Sequence, residues 1–368
     1  MEFEVFKTGD VLKVLIVSKY YPPHWGGVES HAEGIAKELM RSGVDVEVLC
    51  SNTERKPVKE TRYGVRVTRL PTWATVLSQP INPGMVRYVR KSDADIVHVH
   101  VPNPLAMFML MGIRKKVVYT YHSDILGRPF LFFFNRFIKW KLSKADAVIA
   151  TSQRYVDGSS VLKGLKVDVV PNFIRLADFR CTKPKGKKIL FIGRFSEYKG
   201  LDYLLKAYVL VARKHPESRL VMMGNGLKEN LRQETKGLGI DKNIVWLSNV
   251  DEKEKAGHFA DCKMLVLPST HKTEAFGIVQ LEAMASGKPV VSTNIKGSGV
   301  PWVNVNGRTG IVVEPQDAQA LADAICKLLE DDALAAKMGK AGRARVEKYF
   351  DTKIAAKKTL ELYKRVLR

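Results

Sequence analysis

Cysteine is scarce in this sequence, and the four present, Cys50, Cys181, Cys262 and Cys326, are scattered without metal-ligand spacing. The first, third and fourth fall in or beside apolar segments, as inert core thiols do, so a zinc finger is excluded and a reducing cytoplasm fits. Long hydrophobic runs are also missing. The stretch "PLAMFMLMGI" at 104–113 reaches about half of a membrane span, so no crossing of a bilayer is expected. The opening "MEFEVFKTGD" is acidic and polar where a secretory signal needs basic residues and then an apolar core, so no export is expected. Acids are outnumbered: 38 Asp and Glu face 60 Lys and Arg, a net charge of +22. That field draws anions, whether nucleic acid, an anionic lipid surface or a phosphorylated substrate. No RRM aromatic signature or basic-region zipper accompanies the charge, so no nucleic-acid partner is expected.

What is present is a globular composition, 45% hydrophobic over 368 residues, too long for one ordinary core and suited to two domains. Apolar runs alternate with helical patterns: "KVLIVSKYY" (13–21), "DVEVLC" (45–50), "DIVHVH" (95–100), "KVVYTYH" (116–122), "AVIATS" (147–152) and "VDVVPN" (167–172). Continuous apolarity marks parallel strands covered on both faces. The segment 175–188, "RLADFRCTKPKGKK", breaks the pattern and reads as a linker. A second series follows: "KILFIGRF" (188–195), "RLVMMGN" (219–225), "NIVWLSNV" (243–250), "KMLVLPS" (263–269), "PVVSTN" (289–294) and "GIVVEP" (310–315). The pattern predicts two Rossmann-like α/β domains, 1–175 and 186–350, with Asp317 and Asp351 capping helices in the helical C-terminal region. Open parallel sheets bind ligands at the carboxyl ends of their strands, so two facing sheets would enclose one cleft.

Residues just after strands are therefore the candidates. Gly26 and Gly27, in "YYPPHWGGVESH", let a backbone approach a phosphate or an acceptor before a helix starting near Val28; a plain turn is the alternative. In "FIGRFSEYKG", Gly193, Arg194 and Lys199 follow a strand, and an Arg fork with a Lys point charge makes a diphosphate clamp. In "THKTEAFGIVQLEAMASGKPVV", Phe276, Gly277, Ile278 and Val279 begin a helix whose free amides favour negative charge. Glu274 can accept bonds from sugar hydroxyls and Glu282 from a ribose, though one loop acid and one helix-surface acid fit the spacing equally. His100 and His122 end two strands, where an imidazole can bond a sugar hydroxyl or move a proton; His122 is favoured, and His98, inside its strand, reads as structural. Asp93 and Asp95 resemble a metal-binding D-x-D, but they precede their strand and read as solvated acids, so no metal is expected.

Taken together, "GGVE", "HSD", "GRFSEYKG", "EAFGIVQLE", "EAMASGKPVVSTN" and "NGRTGIVVEPQD" resemble, in order and separation, the family-four retaining glycosyltransferases of the GT-B fold. The resemblance covers nearly the whole chain. It implies a UDP- or GDP-sugar donor held by the second domain, an acceptor held by the first, no cofactor and no metal. It makes Arg194 and Lys199 the diphosphate clamp, Glu274 the sugar contact, Glu282 the ribose contact and His122 a donor-sugar contact from the other domain, and it assigns the last helix, 351–368, to the first domain. The usual "PNGVD" reads "PNFIR" here, with Phe173 and Arg175, so no ligand role is assigned to that turn. "IKGSGVPWVNVNG" (295–307) resembles the subset that builds polysaccharides and lipid-linked glycans.

The expected reaction is hexosyl transfer with retention to a hydroxyl acceptor, with Lys199 and Glu274 solvent-accessible. A nucleotide-sugar epimerase of the same fold and a noncatalytic nucleic-acid binder are the competing readings. The stretch "RPFLFFFNRFIKWKLSK" (128–144) carries Phe130, Phe132, Phe133, Phe134, Phe137 and Trp140 with Arg128, Arg136, Lys139, Lys141 and Lys144 and no acid. That mixture suits anionic lipid headgroups, predicting peripheral attachment at the cytoplasmic membrane face and a lipid-linked glycan acceptor; packing of the aromatics under the sheet is the alternative.

Overall fold

Aliphatic and β-branched runs form the strands of two parallel sheets, seen in a computed structural model that describes residues 11–24, 26–76, 79–125, 131–184, 186–226 and 228–368. The expectation drawn from the first ten residues, and those for Arg128 and Phe130, lie outside the described residues. The chain divides into Met1–Asn172 with Thr352–Arg368 as one compact unit and Phe173–Asp351 as the other.

The strands of the first unit are β1 (Lys13–Val17), β2 (Asp45–Ser51), β3 (Val58–Arg62), β4 (Val65–Leu70), β5 (Ala74–Val76), β6 (Gln79–Ile81), β7 (Ile96–Val101), β8 (Lys116–Tyr121), β9 (Ala147–Ala150) and β10 (Asp168–Val169). Eight of them form one sheet in the order β10-β9-β8-β7-β1-β2-β4-β3, and β5 pairs with β6. Only β3 in that sheet runs antiparallel, on β4. Sequence reading missed the β3–β4 hairpin because "VKETR" is polar and exposed. Its two-residue turn holds both Tyr63 (φ 51°) and Gly64 (φ 85°) left-handed, the geometry that suits strand twist. The last helix, Thr352–Leu367, packs on the helix Gly27–Arg41. It is fixed there by Tyr363, whose hydroxyl lies 2.5 Å from Nδ1 of His98, and by Arg365, which donates to Asp168 at 2.5 Å.

In the helix Leu131–Ser143, Ile138 and Leu142 face the core, whereas Phe133 (74%), Phe134 (40%) and Trp140 (47%) are exposed. Among the described side chains of this helix, the core is served by two aliphatics and Phe133, Phe134 and Trp140 are not spent on it, while the expectation for the Phe132 ring lies outside the described side chains. Phe137 lies 6.1 Å from both Phe108, itself 61% exposed, and Trp140. Arg136 and Lys144 are exposed on the same helix and its end.

The second unit is a wholly parallel sheet of β11 (Lys188–Ile192), β12 (Arg219–Met223), β13 (Ile244–Leu247), β14 (Met264–Leu267), β15 (Val290–Thr293) and β16 (Gly310–Val313). Their order is β13-β12-β11-β14-β15-β16. Strand order reverses between β11 and β14, which makes the loops leaving those two strands the ligand-binding switch point. The expected linker 175–188 is corrected: the units divide after Asn172, and the segment's apolar residues dock on the second unit. Ile174, Leu176 and Phe179 join its core, with Phe179 edge-on to Phe259 at 6.1 Å and the Ile174 amide donating to the Phe350 carbonyl at 3.0 Å.

Candidate active site

The loop after β11 is shaped by two glycines. Gly200 is left-handed (φ 65°), and a Cβ there would meet the Pro268 carbonyl oxygen at 2.3 Å. Only glycine lets the two switch-point loops approach so closely. At Gly193 a Cβ would lie 3.3 Å from Cε and Nζ of Lys199, so this glycine leaves room for the lysine amine to cross the loop. The Thr270 amide donates to the Tyr198 carbonyl at 2.8 Å, joining this loop to the one after β14.

Lys199 and Glu274, 75 residues apart, form a direct ion pair in which the ammonium donates to Oε2. Lys199 is only 7% exposed, which corrects the expectation that it stands free in solvent. Burial works against its charge, but the Glu274 carboxylate, with help from Tyr198, holds its pKa above the ordinary lysine value. The charge is therefore permanent. Glu274 is oriented further: Ser269 donates to its Oε2 at 3.2 Å, and its carbonyl accepts from the Ser298 hydroxyl at 2.5 Å. The Gly299 amide donates to the Ala275 carbonyl at 2.8 Å, so the "GSG" segment braces this loop, a role not legible in the sequence. Arg194 is exposed and has no ion pair among the described residues, leaving its guanidinium available to an anion.

The helix after this loop is Ile278–Ala285, two residues later than expected, with left-handed Gly277 (φ 74°) as its cap. Phe276 precedes the helix because its ring is drawn into the core, edge-on to Phe350 at 6.0 Å and Trp302 at 6.2 Å. The first turn carries no acid and no side-chain cap, so the amides of Gly277, Ile278 and Val279 retain their donor capacity and positive field for a ligand. Glu282 lies in the helix, is buried, and accepts from Lys255 at 2.9 Å. Burial raises its pKa while Lys255 opposes the rise. Sequence reading missed Lys255, which also pairs with Glu252 at 2.7 Å; its only signal was a cation among acids in "DEKEK".

In the first unit Gly27 starts the helix Gly27–Arg41, one residue earlier than expected, with Gly26 extended (φ −177°) as its cap. His100 ends in β7 and His122 follows β8; Nδ1 of the first lies 3.0 Å from Nε2 of the second. Both are buried, and desolvation followed by neighbouring imidazoles pushes their pKa values well below 6.5. They are neutral at physiological pH. His98 has both nitrogens engaged, by Tyr363 and by Thr120 at 2.6 Å. His31, not singled out in the sequence, joins them from the helix Gly27–Arg41 with Nδ1 donating to Asn172 at 2.9 Å. Asp93 and Asp95 serve the start of the sheet: Asp93 pairs with the Lys13 ammonium, and Asp95 accepts the Lys13 amide at 2.9 Å.

A switch point that gathers a buried lysine, an open arginine and helix-start amides presents the positive charge and N–H donors that a phosphate-bearing ligand requires. Residues 25–178 match Glycosyltransferase Family 4, and residues 177–345 match Glycosyl transferases group 1. The chain belongs to the family-four glycosyltransferases, has the GT-B fold and is a transferase enzyme. It is 29% identical over 357 residues to O-antigen chain mannosyltransferase C of Escherichia coli, covering 92% of this chain and 94% of that one. It is 30% identical over 359 residues to the phosphatidyl-myo-inositol mannosyltransferase of Mycobacterium leprae, covering 93% of each. Among solved structures, Anabaena Alr3699/HepE in complex with UDP-glucose aligns with a TM-score of 0.78 at 20% identity, covering 96% of this chain and 100% of that one.

Proposed function

We propose that the enzyme moves a hexosyl group from a UDP- or GDP-sugar to a hydroxyl of a lipid-linked or polysaccharide glycan, with retained configuration and without a metal. The observation that carries this reading is the Lys199–Glu274 pair at the switch point of the second unit. Lys199, Arg194 and the amides of 277–279 stabilise the charge that develops on the departing diphosphate, preorganised electrostatics worth several kcal/mol. Glu274 accepts from sugar hydroxyls while Lys199 and Ser269 fix its carboxylate. Glu282, held by Lys255, accepts from the ribose. Neutral His122 bonds a hydroxyl of the donor sugar, and Gly26 and Gly27 let the acceptor or a phosphate approach the first unit. Because Glu274 is held in an ion pair, no enzymic nucleophile is invoked. The acceptor attacks on the face the diphosphate leaves, and a departing phosphate oxygen takes its proton.

The bound UDP-glucose of the Anabaena structure supports a UDP-sugar, and the mannosyltransferase relatives support a hexose. The name of the mycobacterial relative supports a lipid-linked acceptor. The exposed Phe108, Phe133 and Trp140 beside Arg136 and Lys144 support peripheral attachment to the anionic cytoplasmic face of a membrane. No helix among the described residues is long and apolar enough to cross one.

A panel of nucleotide sugars, read by nucleotide release with and without glycan acceptor, tests the reading. Acceptor-dependent release is expected; donor isomerisation without release would make the protein an epimerase, and silence toward every donor would overturn the proposal. Excess EDTA is expected to leave the rate undiminished, since Lys and Arg already neutralise the diphosphate. Loss with EDTA and rescue by Mn²⁺ would contradict it.

A further inference from the structure

The first unit holds a group of side chains that the transfer reaction does not use in full. His31, His100 and His122 come from a helix, a strand and the residue after a strand, and one ring nitrogen of each lies within 4.8 Å of the other two. All three are buried. We propose that these three imidazoles form a binding site for a first-row divalent transition ion of the Zn²⁺ class.

The spacing is close to what coordination requires. Nitrogens about 2.1 Å from a tetrahedral ion lie roughly 3.4 Å apart; the His100–His122 pair already stands at 3.0 Å, and a separation at the 4.8 Å limit has to close by about 1.4 Å. The tautomers suit it as well. The Asn172 oxygen can only accept, so His31 donates to it through Nδ1 and carries its lone pair on Nε2. A hydrogen bond from the far nitrogen to a fixed oxygen is how metal-bound histidines are oriented.

His100 supplies the second, independent observation. One of its nitrogens meets His122, and the other, Nε2, is buried with no hydrogen-bond partner among the described residues. An ion coordinated at Nε2 removes that deficit, whereas one at Nδ1 takes the place of the bond to His122. His98, stacked on His100 at 4.9 Å, cannot serve because both its nitrogens are engaged.

The donor set selects the ion. Three neutral imidazoles with no carboxylate or thiolate among them suit Zn²⁺, Ni²⁺, Cu²⁺ or Co²⁺, not Mg²⁺ or Ca²⁺. Three protein ligands leave a coordination position for water or an anion. On the proposed function, an ion held by His122 takes that ring away from the donor sugar, so binding inhibits transfer.

The test titrates the full chain with Co²⁺, read by its ligand-field absorption, and with Zn²⁺, read calorimetrically; neither readout depends on turnover. Expected is one site with nitrogen-type Co²⁺ bands. It should weaken at least tenfold in His31→Gln and in His100→Gln, each shown folded by circular dichroism, and stay unchanged in His215→Gln, at a second His–Cys–Glu grouping in the other unit. The proposal is overturned if the wild type binds neither ion, if the site survives both substitutions, or if thiolate charge-transfer bands dominate. A wild type that turns over donor but binds no ion would remove this inference and leave the transferase reading intact.

Discussion

Lys255 converts Glu282 from a helix carboxylate into a fixed acceptor. The acid is buried and depends on one ammonium for its charge. Removing the cation from such a pair leaves an uncompensated buried charge, at a cost of about 3–5 kcal/mol. Lys255→Met is therefore expected to lower Tm and to raise the donor KM, because Glu282 loses the ammonium that fixes its carboxylate. Thermal melts and donor saturation curves check this, and a variant unchanged in both would remove Glu282 from the site. Neither this pair nor Lys199–Glu274 was legible as a pair. Glu274 and Lys199 were each identifiable from the strand they follow, but 75 residues separate them, and no local pattern states that two loops converge.

At the scale of elements the sequence was more informative. Parallel strands buried on both faces write themselves as continuous apolar runs, so every strand beside the site was recognisable from "KILFI" onward. Polar β3 left no such run. Loop closure was legible only as glycine, without its reason: Gly200 is required by the Pro268 carbonyl 2.3 Å from its would-be Cβ and by a φ of 65°. Gly200→Ala combines backbone strain with a clash against backbone and is expected to destabilise the second unit by about 3 kcal/mol. It should also displace Lys199, its neighbour, and lower kcat/KM. Denaturant unfolding followed by kinetics checks both parts, and wild-type stability would show that the two loops are looser than their geometry says.

At the scale of the molecule, charge and exposed aromatics act together. On the proposed membrane attachment, a net charge of +22 would attract an anionic surface over roughly a Debye length, about 8 Å at physiological salt, and rings such as Phe133 and Trp140 would then enter the headgroup layer. Co-sedimentation with anionic vesicles at low salt is expected, weakening at high salt and with neutral lipid. Phe133→Ser with Trp140→Ser should lose most of it while keeping the fold, since both rings are already exposed. Indifference to anionic vesicles, or wild-type binding by the double variant, would separate this face from any membrane.

The charge that meets the departing diphosphate is the centre of the account, and Lys199→Ala tests it most directly. Because the lysine is buried in an ion pair, the variant is expected to lose some stability, so its fold is verified first by circular dichroism below its Tm. Acceptor-dependent nucleotide release is then measured against the wild type at the same donor concentrations. The expected result is a fall of two or more orders of magnitude in kcat/KM, about 3 kcal/mol of transition-state stabilisation. A folded Lys199→Ala protein that releases nucleotide at the wild-type rate would contradict the account.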